Sequence, residues 1–127
     1  MSESIELAPT PASVAVARRW SIAVLGRAGV PELSDTMALL VSELVSNVVL
    51  HARTSCCLSI IQTPQRIRVE VQDGSDRLPG VRQRSDPLAQ SGRGMVLVDG
   101  LSAAHGVEPQ PAGGKRVWFE LDVPAAP

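Results

Sequence analysis

Met37-Ala38-Leu39-Leu40-Val41-Ser42-Glu43-Leu44-Val45-Ser46-Asn47-Val48-Val49-Leu50 is apolar almost all the way round a helix. Such a helix is expected to be mostly buried. Its polar residues are Ser42, Glu43, Ser46 and Asn47. At about 100° per residue, Glu43 and Asn47 fall one turn apart on the same face, with Ser42 and Ser46 flanking them on one side. A carboxylate left inside a core without a partner costs roughly several kcal/mol. The stripe must therefore face solvent, a salt-bridge partner or a polar cavity. From this helix alone solvent is the simplest of the three. Pro31 and Ser34 mark the helix start, Glu32 and Asp35 suit the positive end of its dipole, and it runs to about His51.

Upstream, Met1 to Thr10 is a polar, acidic arm with a short edge strand at Ile5–Leu7. Pro11 then sits where a first helix could start. Val14, Val16, Ala17, Trp20, Ile22, Ala23, Val24 and Leu25 give it a mixed apolar stripe that ends near Gly26 and Gly29. Downstream, Thr54–Gln62 is rich in Cys, Leu and Ile, and Arg66–Gln72 alternates strictly. They predict two strands joined by a turn at Thr63-Pro64-Gln65, with Ile67, Val69 and Val71 on the buried face. Asp73 to Ser91 is polar loop, and Met95–Leu101 is a short helix. Val107–Pro111 and Lys115–Val123 are the last strands, separated by Ala112-Gly113-Gly114. Helices covering one face of a mixed or antiparallel sheet make a two-layer α/β sandwich. The expected organisation is an arm (1–10), one domain (11–123) and a tail (124–127).

Composition fits one such domain. The chain has 127 residues, 44% hydrophobic and 20% charged, with a formal charge of -1. That charge exerts no general pull on nucleic acid or anionic membrane. Eleven of the cations are arginine, so a local basic face is still open, although a GC-rich genome explains the bias equally well. Only Trp20, Trp118 and Phe119 are aromatic, which argues against a base-stacking nucleic-acid platform. Cys56 and Cys57 are adjacent and would point to opposite faces of a strand, so neither a shared metal nor a useful cross-link is expected. No basic, apolar leader begins the chain, and no apolar run approaches the ~18 residues that span a bilayer. The default location is the cytoplasm.

Three glycine-containing segments carry the remaining chemistry. Asp73-Gly74 closes a strand; it is either an ordinary turn or an acceptor for a ligand amino group with close backbone approach. Ser91-Gly92-Arg93-Gly94 precedes a helix, where N–H groups bind anions and an arginine adds charge-assisted contacts. Its spacing is neither a Rossmann nor a Walker pattern. Gly113-Gly114-Lys115 is either a hairpin turn with an exposed lysine or a lysine that reaches a phosphate.

Taken in order, Glu43-x-x-x-Asn47, Val71-Gln72-Asp73-Gly74, Gly92-Arg93-Gly94-Met95 and Gly114-Lys115-Arg116-Val117-Trp118-Phe119 resemble the ATPase superfamily of gyrase, histidine kinases and heat-shock and mismatch-repair ATPases, the Bergerat fold. Within it, Ser42-Glu43-Leu44-Val45-Ser46-Asn47 and Arg93-Gly94-Met95-Val96-Leu97-Val98 look like the small anti-sigma-factor serine/threonine kinases of bacteria (RsbW-like proteins). The resemblance covers about residues 11 to 123. It implies ATP and Mg²⁺ as cofactors, with Glu43 orienting or deprotonating the attacking hydroxyl, as a general base must. It implies Asn47 as a Mg²⁺ ligand, for which an oxygen donor suits a hard ion. Asp73 would receive the adenine amino group beside Gly74. Gly92, Arg93, Gly94 and Met95 would form the phosphate-binding lid and helix start. Lys115 would approach the nucleotide. His51, one turn after Asn47, would line the same pocket or serve a structural role.

The resemblance further implies a sigma factor or a small antagonist protein as partner, and a homodimer is within the family's range. Two departures stand out. Many relatives carry a second glycine shortly after the Asp-Gly pair, where this chain has Ser75-Asp76, so the adenine side could rely on Leu78 and Pro79. The stretch Gly80–Ser91, the expected lid, is short and contains proline. No phospho-acceptor histidine domain or transducer segment is recognisable, so neither a complete histidine kinase nor a motor-type ATPase is expected. The readings left are a kinase that transfers phosphate to an antagonist, an ATP-responsive binding module without transfer, and an α/β domain without nucleotide.

Overall fold

The computed structural model of the chain describes residues 2–75 and 97–124. Strand β1 (Ser2–Leu7) leads into helix α1 (Ala12–Ala28). Gly29, at φ 80°, ends that helix, and the Val30 N–H bonds back to the Leu25 carbonyl. This left-handed glycine stop satisfies carbonyls that the last turn would otherwise leave open. A 3-10 turn (Pro31–Leu33) starts helix α2 (Ser34–Asn47), which widens into a π-helical turn at Val48–Ala52. Then come β2 (Cys56–Gln62), β3 (Arg66–Asp73), a helical segment over 97–101, β4 (Ala104–Pro109) and β5 (Lys115–Asp122).

The five strands lie in the order β1-β2-β3-β5-β4, and every pairing among them is antiparallel. β5 thus sits inside the sheet and β4 forms its edge. Alternation puts Leu58, Ile60, Ile67, Val69, Val71, Val117, Phe119 and Leu121 on one buried face. Met37, Leu40, Val41, Leu44 and Val45 of α2 and Val24 and Leu25 of α1 complete the core against it. Helices α1 and α2 pack together, and α1 buries the small side chains Ser13, Ala17 and Ser21 along with Val24 and Leu25. This is the expected two-layer sandwich.

The differences are local. β1 starts at Ser2, earlier than the expected edge strand, because Ser2–Glu6 pair along β2 as far as Ile61. β4 begins three residues before Val107 and ends two before Pro111, since its register on β5 runs Ala104↔Glu120 to Pro109↔Lys115. Val16 and Ile22 are exposed, whereas Ser13, Ala17, Ser21, Val24 and Leu25 form the buried side of α1. The helical stretch Pro31–Ala52 is, by length and composition alone, apolar enough to cross a membrane. That corrects the expectation from apolar runs. Its residues Met37, Leu40, Val41, Leu44 and Val45 are buried in the domain core, where an all-apolar helix also belongs.

The opposite sheet face is a charged lattice. Glu120 accepts from Arg66 at 2.8 Å and from Arg68 at 3.1 Å; Arg68 also bonds Glu70 at 2.7 Å and lies 4.0 Å over the Trp118 ring. The indole crosses β4 at Gly106, where a Cβ would stand 2.8 Å from the ring.

Candidate functional site

The polar stripe of α2 survives folding with its chemistry unspent. Glu43 and Asn47 are both half-buried on the helix whose other sides line the core. Among the described residues Glu43 has no hydrogen-bond or ion-pair partner. The Asn47 Nδ2 is buried, and among the described residues nothing accepts from it. A buried amide without a partner costs roughly 1–3 kcal/mol, so it points to a ligand or water that belongs there. The flanking serine Ser42 is not part of this arrangement, since its hydroxyl donates to the Ala38 carbonyl one turn back at 2.6 Å.

His51 does not follow Asn47 by an ordinary turn. The π-helical turn widens the spacing, and the Arg53 N–H closes it on the Val48 carbonyl at 2.8 Å. Such turns recur at functional sites. Arg53 then reverses the chain at φ 57°, and Thr54 follows directly. The Thr54 hydroxyl oxygen accepts the Gly74 N–H at 3.0 Å. The end of the helix is thereby tied to the Asp73-Gly74 turn, a link the sequence motifs do not announce.

The second cluster lies at the end of the sheet's buried face. The alternation that buries Ile67, Val69 and Val71 continues to Asp73, and the one that buries Leu121, Phe119 and Val117 continues to Lys115. The two are register partners on β3 and β5. Their side chains are 1% and 6% exposed, and the Lys115 ammonium lies 3.0 Å from Asp73 Oδ2 and 3.2 Å from Oδ1. Oδ1 also accepts the Ser75 N–H at 2.8 Å. Lys115 is therefore not an exposed turn residue: its ammonium is the counter-ion of Asp73. Counting in twos along each strand puts both residues on the buried face, and the β3–β5 register makes them partners. Gly114 makes it possible, because at φ 85° its missing Cβ would fall 2.1 Å from the Asp73 carbonyl oxygen.

Cys56 stands opposite Asp73 on β2, and burial, then the Asp73 charge, push its thiol up to about 12. It stays protonated at neutral pH and contributes packing rather than nucleophilic chemistry.

Gly92, Arg93, Gly94 and Met95, with Leu78 and Pro79, lie outside the described residues. A cavity of about 330 Å³ opens between Leu33 and Thr36 and the 100–103 segment. It sits at the start of α2, about 16 Å along the helix from Asn47, and is separate from the stripe. Among the described residues no group of three His, Cys, Asp or Glu side chains could hold a metal alone. Mg²⁺ bound through nucleotide phosphates and water needs only one or two protein oxygens, and the Asn47 carbonyl oxygen beside Glu43 fits that demand.

The family model for the histidine kinase-like ATPase domain matches residues 7–121. The chain belongs to that family and is an ATP-binding domain. No curated protein matches the chain.

Proposed function

We propose that this ATP-binding domain is a cytoplasmic serine/threonine protein kinase of the anti-sigma-factor type, acting with Mg²⁺ on a small antagonist protein. The observation that carries this reading is Glu43: a half-buried carboxylate without a partner among the described residues, one turn from the unsatisfied amide of Asn47. A carboxylate kept free beside a phosphate site is equipped to accept a proton. In the reaction, the hydroxyl oxygen of the acceptor serine bonds to the γ-phosphorus. The bond from that phosphorus to the β,γ-bridging oxygen breaks, ADP leaves, and the hydroxyl proton passes to Glu43. Mg²⁺, when bound, offsets charge on the phosphates, and Asn47 is its candidate protein ligand. Asp73 serves the base end of the nucleotide, with Gly74 beside it and His51 lining the same pocket; Gly92, Arg93, Gly94 and Met95 are assigned to the phosphates by the sequence resemblance alone.

The test is transfer of labelled γ-phosphate from ATP to a serine of the antagonist. Glu43→Gln should keep ATP binding within about threefold and lower transfer by a factor of roughly 10² or more. Unchanged transfer in that variant would rule out Glu43 as the base. The alternative is an ATP-responsive module that holds its partner without transferring phosphate. It is favoured by Asp73 being engaged by Lys115 and by Ser75-Asp76 following Gly74. Tight ATP binding with no transfer to any candidate antagonist would select it.

A further inference from the structure

The buried ion pair at the sheet end has an asymmetry. Asp73 Oδ1 accepts two hydrogen bonds, from Lys115 and from the Ser75 N–H, whereas among the described residues Oδ2 meets only the ammonium, 3.0 Å away. An ammonium has three protons, and among the described residues only Asp73 receives from Lys115. One acceptor and one donor therefore stand side by side, about as far apart as the polar groups along one edge of a purine. A carboxamide reads adenine with the same couple, accepting from the amino group and donating to the adjacent ring nitrogen.

A lysine that swung away to a phosphate would leave the Asp73 carboxylate buried and unpaired, which is strongly unfavourable. Two features hold it in place: the Asp73↔Lys115 register and the close approach of Gly114 to the Asp73 carbonyl.

We infer that Lys115 is a specificity-determining residue that reads the base together with Asp73: Oδ2 accepts from the purine amino group, and the ammonium donates to the ring nitrogen beside it. This rests on the nucleotide-site reading of Asp73. The low exposure of the pair makes each of these bonds costly to lose, since a buried donor without an acceptor is poorly compensated. A lone carboxylate would recognise only the amino group. The pair adds a second contact point, so a base lacking the ring acceptor is rejected even when its amino group is intact.

The ring nitrogen can be either of the two that flank the amino-bearing carbon, and analogues distinguish them. Calorimetric titration of the full chain with ATP, 1-deaza-ATP and 7-deaza-ATP, each with Mg²⁺, is the experiment. Wild type should bind one deaza analogue roughly tenfold or more weakly than ATP and the other about equally. Lys115→Met should bind ATP and that penalised analogue alike. Equal binding of all three ligands by wild type overturns the inference, and needs no variant that folds. So does a penalty that persists undiminished in Lys115→Met. Absence of ATP binding by folded wild type is a different result: it removes the nucleotide site itself, and the inference with it.

Discussion

Removing the Lys115 ammonium while keeping its stem should destabilise the domain far more than a surface substitution would. Lys115→Met preserves most of the buried aliphatic chain, so packing changes little. At 3.0 Å and an effective dielectric of about 20, the attraction between the charges is about 5 kcal/mol. In the native domain that attraction offsets the desolvation of both ions, and their side chains are only 6% and 1% exposed. Deleting one partner strands the other, at a cost of about 3–5 kcal/mol. Asp73→Asn should cost a similar amount, because its amide would confront the ammonium. The double variant Asp73→Asn/Lys115→Met has no charge left to strand and should recover to within about 2 kcal/mol of wild type. Urea unfolding of the four proteins measures the cycle, and its coupling energy should be about 4 kcal/mol or more. In thermal unfolding each single variant should melt ~12–20 °C lower. Single variants within about 1 kcal/mol of wild type, with additive effects, would refute the claim that this pair is dry and mutually dependent.

Two further outcomes follow from the outer sheet face. Hydrogen bonds first from Arg66 and then from Arg68 hold the Glu120 carboxyl below its ordinary range. A depressed carboxylate contributes stability above its unfolded-state pKa and loses it as pH falls through the folded value. Glu120→Gln should therefore cost up to about 1 kcal/mol at pH 7, discounted for the partly exposed arginines. The gap to wild type should close as pH drops below about 4.5, the carboxyl's reference value; a gap constant from pH 7 to 3 would contradict the assignment. Gly106→Ala places a methyl 2.8–2.9 Å from the Trp118 indole. It should displace the ring, shift its fluorescence and cost roughly 1–3 kcal/mol by urea unfolding.

The layer structure was legible because it rests on periodicity. Arg66–Gln72 alternates in twos and is strand β3, and the run from Met37 packs as α2 in the core. The Glu43–Asn47 face followed from helical geometry alone. What stayed hidden depended on partners distant in sequence. Lys115 after two glycines looks like a turn residue until β5 is laid beside β3 and its register partner proves to be Asp73. The mixed stripe of α1 left its buried face undefined: Ala17, Val24 and Leu25 are buried as apolar residues, but Ser13 and Ser21 are buried with them and carry no hydrophobic signal. The β4 boundaries failed for a related reason: Ala104-His105-Gly106 has little strand propensity of its own. It is a strand because β5 offers an edge to pair with and Trp118 needs the space over Gly106.

The two halves of the site are joined by few atoms. Glu43 and Asn47 ride on α2, whereas Asp73 and Lys115 ride on the sheet, and layers packed by aliphatic side chains do not fix polar atoms to tenths of an ångström. The π-helical turn, the left-handed Arg53 and the Thr54 hydroxyl on the Gly74 N–H supply that connection within seven residues of α2's end. The proposed site, with the base at one end and the phosphates at the other, needs both ends fixed relative to each other. The irregular geometry between α2 and β2 is thus where a regular helix and a regular strand would have left the two clusters independent.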